Sequence, residues 1–211
     1  MVDSKKPRTA PKQQRQQELI KATIRSIARH GLAATTIATV AREAKLSQGI
    51  INLHFQSKQR LLVATLEHLS TEYRDSWQRA YADAGTDCVD RLRTLAHVDF
   101  EKPICERNKL AVWFAFWGES KSRPIYRKLC SQIDDEYRAT VAEVCRQLIG
   151  EGGYDHDWRT VSRGLSSMGS GLWLSMLMDA GRLDRDGAKQ VIDDYLAGMF
   201  PNHFPSSGAN R

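Results

Sequence analysis

GLAATTIATVAREAKLSQGIINLHFQSKQRLL, residues 31–62, holds three helix starts in quick succession, and the fold follows from them. Gly31 stands at the expected C′ position of a preceding helix, whose apolar residues Leu19, Ile20, Thr23, Ile24, Ile27 and Ala28 recur at helical spacing from Gln13 to near His30. Thr36, or Thr35, is placed to cap a helix of about two turns ending near Ala44. Lys45-Leu46 is a short turn. Ser47 then stands before a second short helix, Gln48–Phe55, and Ser57 before a third running from Lys58 towards Ala80. Two short helices across a tight turn form the helix-turn-helix pattern. Small Ala41 permits close helix approach, and Ile37, Val40, Leu46 and Ile51 lock the pair.

That geometry sends the N-terminal residues of the second helix into a major groove while the first braces across the backbone. Gln48 and Asn52 lie one turn apart on one face, and both have the amide geometry that reads an adenine edge bidentately. Ile50 sits with them as a base-reading position. Thr35, Thr36, Lys45, Ser47, His54 and Lys58 suit phosphate contact, which sets register without reading sequence.

Charge supports this reading. Of the 31 Lys/Arg and 25 Asp/Glu in 211 residues, twelve basic and three acidic side chains fall in residues 1–60, so the whole excess of +6 belongs to that segment. Such asymmetry points to nucleic acid or another anionic surface. A nucleoid-type or membrane-surface basic protein would share it, but would bind without sequence preference and collapse steeply with salt.

The segment Gly31-Leu32-x-x-Thr35-Thr36-Ile37-x-x-Val40-Ala41-x-x-Ala44-x-Leu46-Ser47-x-Gly49-x-Ile51-x-x-His54-Phe55-x-x-Lys58-x-x-Leu61-Leu62 resembles the DNA-binding domain of the TetR family of bacterial repressors. Two positions depart from that family's pattern: Lys45 stands where Gly is frequent in the turn, and Asn52 where many members carry Tyr. The resemblance implies a bacterial, cytoplasmic homodimer that binds an inverted-repeat operator, with a C-terminal helical domain that dimerises and encloses an effector.

Beyond Gly85 helical periodicity continues, with further helices expected at about 87–99, 103–117, 122–150, 157–180 and 184–199. No segment shows period-2 alternation. The expected architecture is all-α with about nine helices: a flexible basic arm at 1–11, a three-helix DNA-binding domain at 12–60, a helical effector-binding and dimerisation domain at 61–200 and a disordered tail at 201–211. The helix near 157–180 is apolar around much of its circumference. Leu165, Gly169, Leu172 and Met176, with Ile192, Tyr195, Leu196 and Met199 of the last helix, therefore suit a two-fold interface. Filling the protomer core is the competing use for the same residues.

Leu110, Trp113, Phe114 and Trp117 form one helical stripe, and a stripe at that spacing is more often core than ligand box. Together with Arg123-Pro124-x-Tyr126-x-x-Leu129, Gly171-Leu172-Trp173-Leu174 and Ser47-Gln48-Gly49-Ile50-Ile51, it resembles the BetI-type subgroup of the family, choline-responsive repressors of glycine-betaine synthesis genes. A quaternary ammonium cannot donate hydrogen bonds and is held over aromatic faces, each contact contributing about 0.5–2 kcal/mol. Trp113, Phe114, Phe116, Trp117 and Trp173 are the cage candidates, with Glu119 or Asp179 as counter-charge. A different cationic or amphipathic effector is the alternative within the same family.

Other chemistries find little support. Six histidines show no metal-ligand spacing, and no nucleophile elbow, P-loop or dinucleotide fingerprint occurs. Catalytic residues, metal and cofactor are expected to be absent. Cys88, Cys105, Cys130 and Cys145 read as reduced thiols, no apolar run is long enough for a membrane span, and the basic N-terminus lacks the apolar run of a signal peptide.

Overall fold

The computed structural model describes residues 11–204 apart from Ala180, and among these there are nine α-helices and no strand. Helix α1 spans Lys12–Ala34, with Gly31 breaking it at φ 79°, ψ 165°, so the regular helix stops at His30 as the glycine led one to expect. Helix α2 (Ile37–Ala44) opens with a reciprocal cap: Thr36 Oγ1 accepts from the Thr39 amide at 3.1 Å, and Thr39 Oγ1 accepts from the Thr36 amide at 2.9 Å. Helix α3 spans Gln48–Phe55 and α4 spans Lys58–Asp83. Ser57 caps α4 through the Arg60 amide. Ser47 occupies the cap position of α3 without a side-chain cap bond, which leaves its hydroxyl uncommitted at the surface.

Helices α5 (Cys88–Val98), α6 (Arg107–Glu119), α7 (Pro124–Gly152), α8 (Trp158–Met178) and α9 (Arg185–Met199) follow. Asp87, Asp157 and Asp184 each cap a helix through their carboxylates, and Pro124 takes the first-turn place. Helix α6 starts later than expected. Pro103 lies in the preceding loop, where Ile104 and Cys105 are buried, and Glu106 takes the N-cap. Residues 201–204, expected in the tail, instead turn back so that Phe204 packs on Phe200, with the Arg93 guanidinium 5.0 Å from its ring centre. Residues 205–211, like 1–10 of the expected arm, lie outside the described residues.

The core is continuous from Leu19 and Ile27 through Ile51, Leu61 and Leu66 to Tyr126, Val144 and Leu196. Helix α1 packs along α2, α4 and α6, while α4 continues from the first three helices into contact with α5 and α7. The boundary drawn at 60/61 therefore falls inside one unbroken helix. Helix α8 lies against α6, α7 and α9. Helix α6 is thus shared: one side meets α1, the other meets α7 and α8.

Candidate nucleic-acid interface and ligand cavity

Helix α3 buries Ile51 and Phe55 against the core and turns Gln48, Gly49, Asn52 and Leu53 to solvent. Gln48 and Asn52 share an exposed face, while Ile50 and His54 are half-buried. Leu53, 75% exposed, was missed in the sequence reading. An exposed leucine beside two amides suits contact with a thymine methyl, and its place opposite Ile51 and Phe55 on the helical wheel was the available signal.

Lys45, at the turn position where Gly is frequent in the family, adopts the left-handed conformation at φ 56°, ψ 43°. A β-carbon there costs roughly 1–2 kcal/mol. Lys45→Gly is therefore expected to raise stability by about 1 kcal/mol in a thermal melt. The same change removes an exposed charge and should weaken DNA binding.

Thr36 and Ser47 are exposed. Thr35 is not: it is 1% exposed, donates to the Gly31 carbonyl at 2.8 Å and lies beside Ser26. It satisfies the end of α1, so the expected phosphate contact from Thr35 is corrected. Lys58 donates to the Ala33 carbonyl at 3.3 Å, joining α4 to the end of α1. Glu43 accepts from Arg29 at 2.7 Å and faces Arg25, which braces α2 on α1 and neutralises an acidic residue next to the reading head.

In the other half of the molecule a cavity of about 40 Å³ opens among α4, α6, α7 and α8. Its walls are aromatic: Trp113 and Trp117 from α6, Trp173 from α8, Tyr73 from α4 and Tyr137 from α7. The Trp117 and Trp173 rings are near-parallel at 13° with centroids 6.2 Å apart, and Trp113 lies 6.2 Å from Trp117. Tyr73 meets Trp113, Trp173 and Tyr137 edge to face. Of the six residues expected here, Trp113, Trp117 and Trp173 are brought together. Phe116 is instead fully buried against Tyr126, and Phe114 packs on the outer side of the cluster against Trp117. Glu119 pairs with Arg123 and lines a separate groove at the α1–α4–α6 junction, where Arg123 also reaches Gln59 at 3.3 Å. Asp179 is exposed past the end of α8.

The carboxylates in the cavity are Asp99 and Asp134. Asp99 stands at the C-terminal end of α5 and is 8% exposed. Its Oδ1 accepts from Tyr73 at 2.8 Å, and its backbone carbonyl accepts from the Trp173 indole at 2.8 Å. Burial raises its pKa to about 7; the Tyr73 hydrogen bond pulls against that rise and the Asp134 charge adds to it. Burial also raises Asp134, which Arg138 counters from 3.4 Å. Asp134 belongs to the Asp134-Asp135-Glu136 run, whose other two members are exposed, so only one position of that run turns inward. Asp99 was not among the counter-charge candidates read from the sequence; its neighbours Val98 and Phe100 are both buried.

The expected two-fold positions divide as well. Leu165, Ile192 and Leu196 are buried within the protomer, and a β-carbon on Gly169 would stand 3.0 Å from Asp99 Oδ2. These four build the protomer itself and are corrected. Leu172, Met176, Tyr195 and Met199 are half-buried, with Tyr195 donating to the Val161 carbonyl. Leu174, Met178 and Val191 are the large apolar side chains of α8 and α9 that face solvent. Among the described residues no group of three potential ligands converges on a metal position, and no helix is long and apolar enough to cross a membrane.

Comparison with known proteins agrees with both halves. A family model described as bacterial regulatory proteins, tetR family, matches residues 19–65, and one described as BetI-type transcriptional repressor, C-terminal, matches residues 89–201. The chain is 30% identical over 192 residues to the HTH-type transcriptional regulator BetI of Burkholderia thailandensis, covering 90% of this chain and 95% of that one. It is 29% identical over 182 residues to the BetI regulator of Stenotrophomonas maltophilia, covering 86% and 91%. A solved structure from Saccharomonospora viridis in complex with choline superposes with a TM-score of 0.73 at 25% identity, covering 87% of this chain and 96% of that one.

Proposed function

We propose, because the chain belongs to the TetR family of bacterial regulators and carries a BetI-type repressor domain, that it acts as a cytoplasmic homodimer on an inverted-repeat operator and is released from it by choline. The observation that carries the effector assignment is the convergence of Trp113, Trp117 and Trp173 on one small cavity. A trimethylammonium group has no hydrogen to donate and gains from aromatic faces, about 0.5–2 kcal/mol for each contact. The choline complex of the S. viridis protein, whose fold is shared along most of the chain, supports the same ligand class. Control of glycine-betaine synthesis genes is the matching regulatory output.

In this reading α3 enters the major groove with Gln48, Asn52 and Leu53 towards the bases, while Thr36, Lys45, Ser47, His54 and Lys58 settle on the phosphates. Helix α6 links the two sites. It carries Trp113 and Trp117 at the cavity, and its end presents Glu119 to Arg123, which contacts Gln59 at the start of α4, directly after α3. Choline shifts the reading heads only as far as it binds one arrangement of these helices better than the other.

The test is fluorescence anisotropy on DNA from upstream of the gene, near physiological salt, against scrambled DNA, with and without choline. Specific binding reversed by choline is the expected result. Specific binding unaffected by millimolar choline would remove choline as effector and leave the repressor. Gln48→Ala and Asn52→Ala should each relax base choice by about 1–3 kcal/mol, whereas Lys58→Ala should weaken binding to every sequence about equally. Identical behaviour of all three would overturn the assignment of α3.

A further inference from the structure

The cavity combines an aromatic wall with a buried carboxylate that lacks a cationic partner. Asp134 has Arg138 beside it; no Lys, Arg or His among the described residues pairs with Asp99. Among the described residues only Oδ1 of Asp99 receives a hydrogen bond, from Tyr73, while Oδ2 lies over Gly169, where any side chain would crowd it. The groups that face or influence Asp99 can be named element by element. Tyr73 comes from α4, and Asp134, Tyr137 and Arg138 come from α7. Helix α8 contributes Ser166, Ser170 and the Trp173 indole, and the α5–α6 loop contributes Cys105. Burial keeps both tyrosines and the cysteine neutral, the thiol being pushed up to about 11. His97, on α5 itself, is held instead by Asp193 at 2.9 Å. A fixed positive charge in the cavity would therefore meet Asp99 as its uncompensated partner.

We propose that Asp99 is the specificity-determining counter-charge of the cage, selecting quaternary ammonium cations over zwitterions and neutral molecules of the same shape and making their binding pH-dependent. This inference rests on the reading of the cavity as a quaternary-ammonium site. Shape and aromatic contact alone cannot separate choline from 3,3-dimethylbutan-1-ol, its uncharged carbon isostere. A carboxylate can, and it also repels trimethylglycine, which places a carboxylate where choline has its hydroxyl. Choline carries a permanent charge and does not titrate near neutrality, so a pH dependence of its binding belongs to the protein. Protonated Asp99 offers no charge. Affinity should then rise as pH passes upward through neutrality and level off above it, with one proton released for each cation taken up at low pH.

Tryptophan fluorescence and calorimetric titrations of the full chain with choline, the neutral isostere and trimethylglycine, between pH 5.5 and 8.5, test this. Wild type should prefer choline to both. At pH 8.5, where Asp99 is ionised, Asp99→Asn should weaken choline by at least tenfold and up to about a thousandfold, the upper figure being one full charge pair about 4 Å apart at an effective dielectric of about 20. The isostere should bind that variant unchanged, and the pH dependence should flatten. Tyr73→Phe is the second variant. It keeps the carboxylate but removes the hydrogen bond that stabilises its charge, so the midpoint of the pH profile should move upward. Choline binding to wild type with an unaltered choline-to-isostere ratio in Asp99→Asn, or an unmoved midpoint in Tyr73→Phe, overturns the role of Asp99 while keeping the cage. Failure of wild type to bind any quaternary ammonium overturns both readings.

Discussion

A Leu174→Arg, Met178→Glu double variant is expected to become monomeric at micromolar concentration and to lose about 10²–10⁴-fold in affinity for a two-half-site operator. The two residues are one turn apart on α8, 45% and 72% exposed, so the protomer spends no core packing on them. Val191 on α9 is also an exposed large apolar side chain, at 41%. In the proposed homodimer a patch of this kind, left open by a chain that buries Leu165, Ile192 and Leu196 internally, is where a second copy would remove apolar surface from water. Charges placed there leave the protomer's helical content by circular dichroism largely unchanged while adding a desolvation cost to the proposed two-fold contact. The loss in DNA affinity follows because a dimer binds its second half-site as an intramolecular event. Light scattering and anisotropy on the same preparation check both parts. A variant that stays dimeric and binds the full operator normally would place the two-fold elsewhere on the molecule.

The proposed interface shows where sequence reading stopped. Periodicity identified α8 and α9 as heavily apolar, but it could not say which residues a protomer keeps for itself. Leu165 and Leu174 look alike in a one-dimensional pattern, and only the packing of α8 against α6, α7 and α9 separates them. Local signals fared better. The Gly31 break and the Thr36 cap depend on residues within a few positions of each other, so their chemistry is written along the chain. Thr35 and Thr36 are neighbours with opposite fates because one lies over the end of α1 and the other begins α2.

The cavity is an intermediate case. Trp113 and Trp117 are four residues apart on one helix and could be paired from spacing, and family resemblance added Trp173. Asp99 could not be found in this way, since its partners Tyr73 and Trp173 are 26 and 74 residues distant. Glu119, the carboxylate next to the aromatic run, was the natural choice from sequence. The rotation of α6 over its last turn sends it instead to Arg123 and the junction with α4. The aromatic wall was thus legible and its charge was not.

Without ligand, the protein is expected to lose up to about 4 kcal/mol of stability relative to Asp99→Asn as pH rises from about 4 to above 7. The sign follows from proton binding. Unfolded, Asp99 returns to its ordinary value of 3.8, whereas in the fold burial raises it to about 7. Between those values the folded state holds a proton that the unfolded state has released, so raising pH favours unfolding. The contribution is complete below about pH 4, declines through the window and is gone once the folded carboxyl ionises near 7. Asp134, also raised by burial, acts in the same direction in both proteins, and what remains of it in the difference is its charge coupling to Asp99. Asparagine keeps the Tyr73 hydrogen bond and cannot ionise, which isolates the Asp99 contribution. Urea unfolding of both proteins at matched protein concentration, from pH 4.5 to 8.5, measures the gap, with concentration fixed because a dimer's stability depends on it. A constant gap across that range would mean that Asp99 is ionised throughout. Its charge would then have a partner that the cavity geometry does not supply. A gap that narrows and reverses places the protein's least stable unliganded form above neutral pH, where Asp99 is charged and the cage has most to gain from a cation.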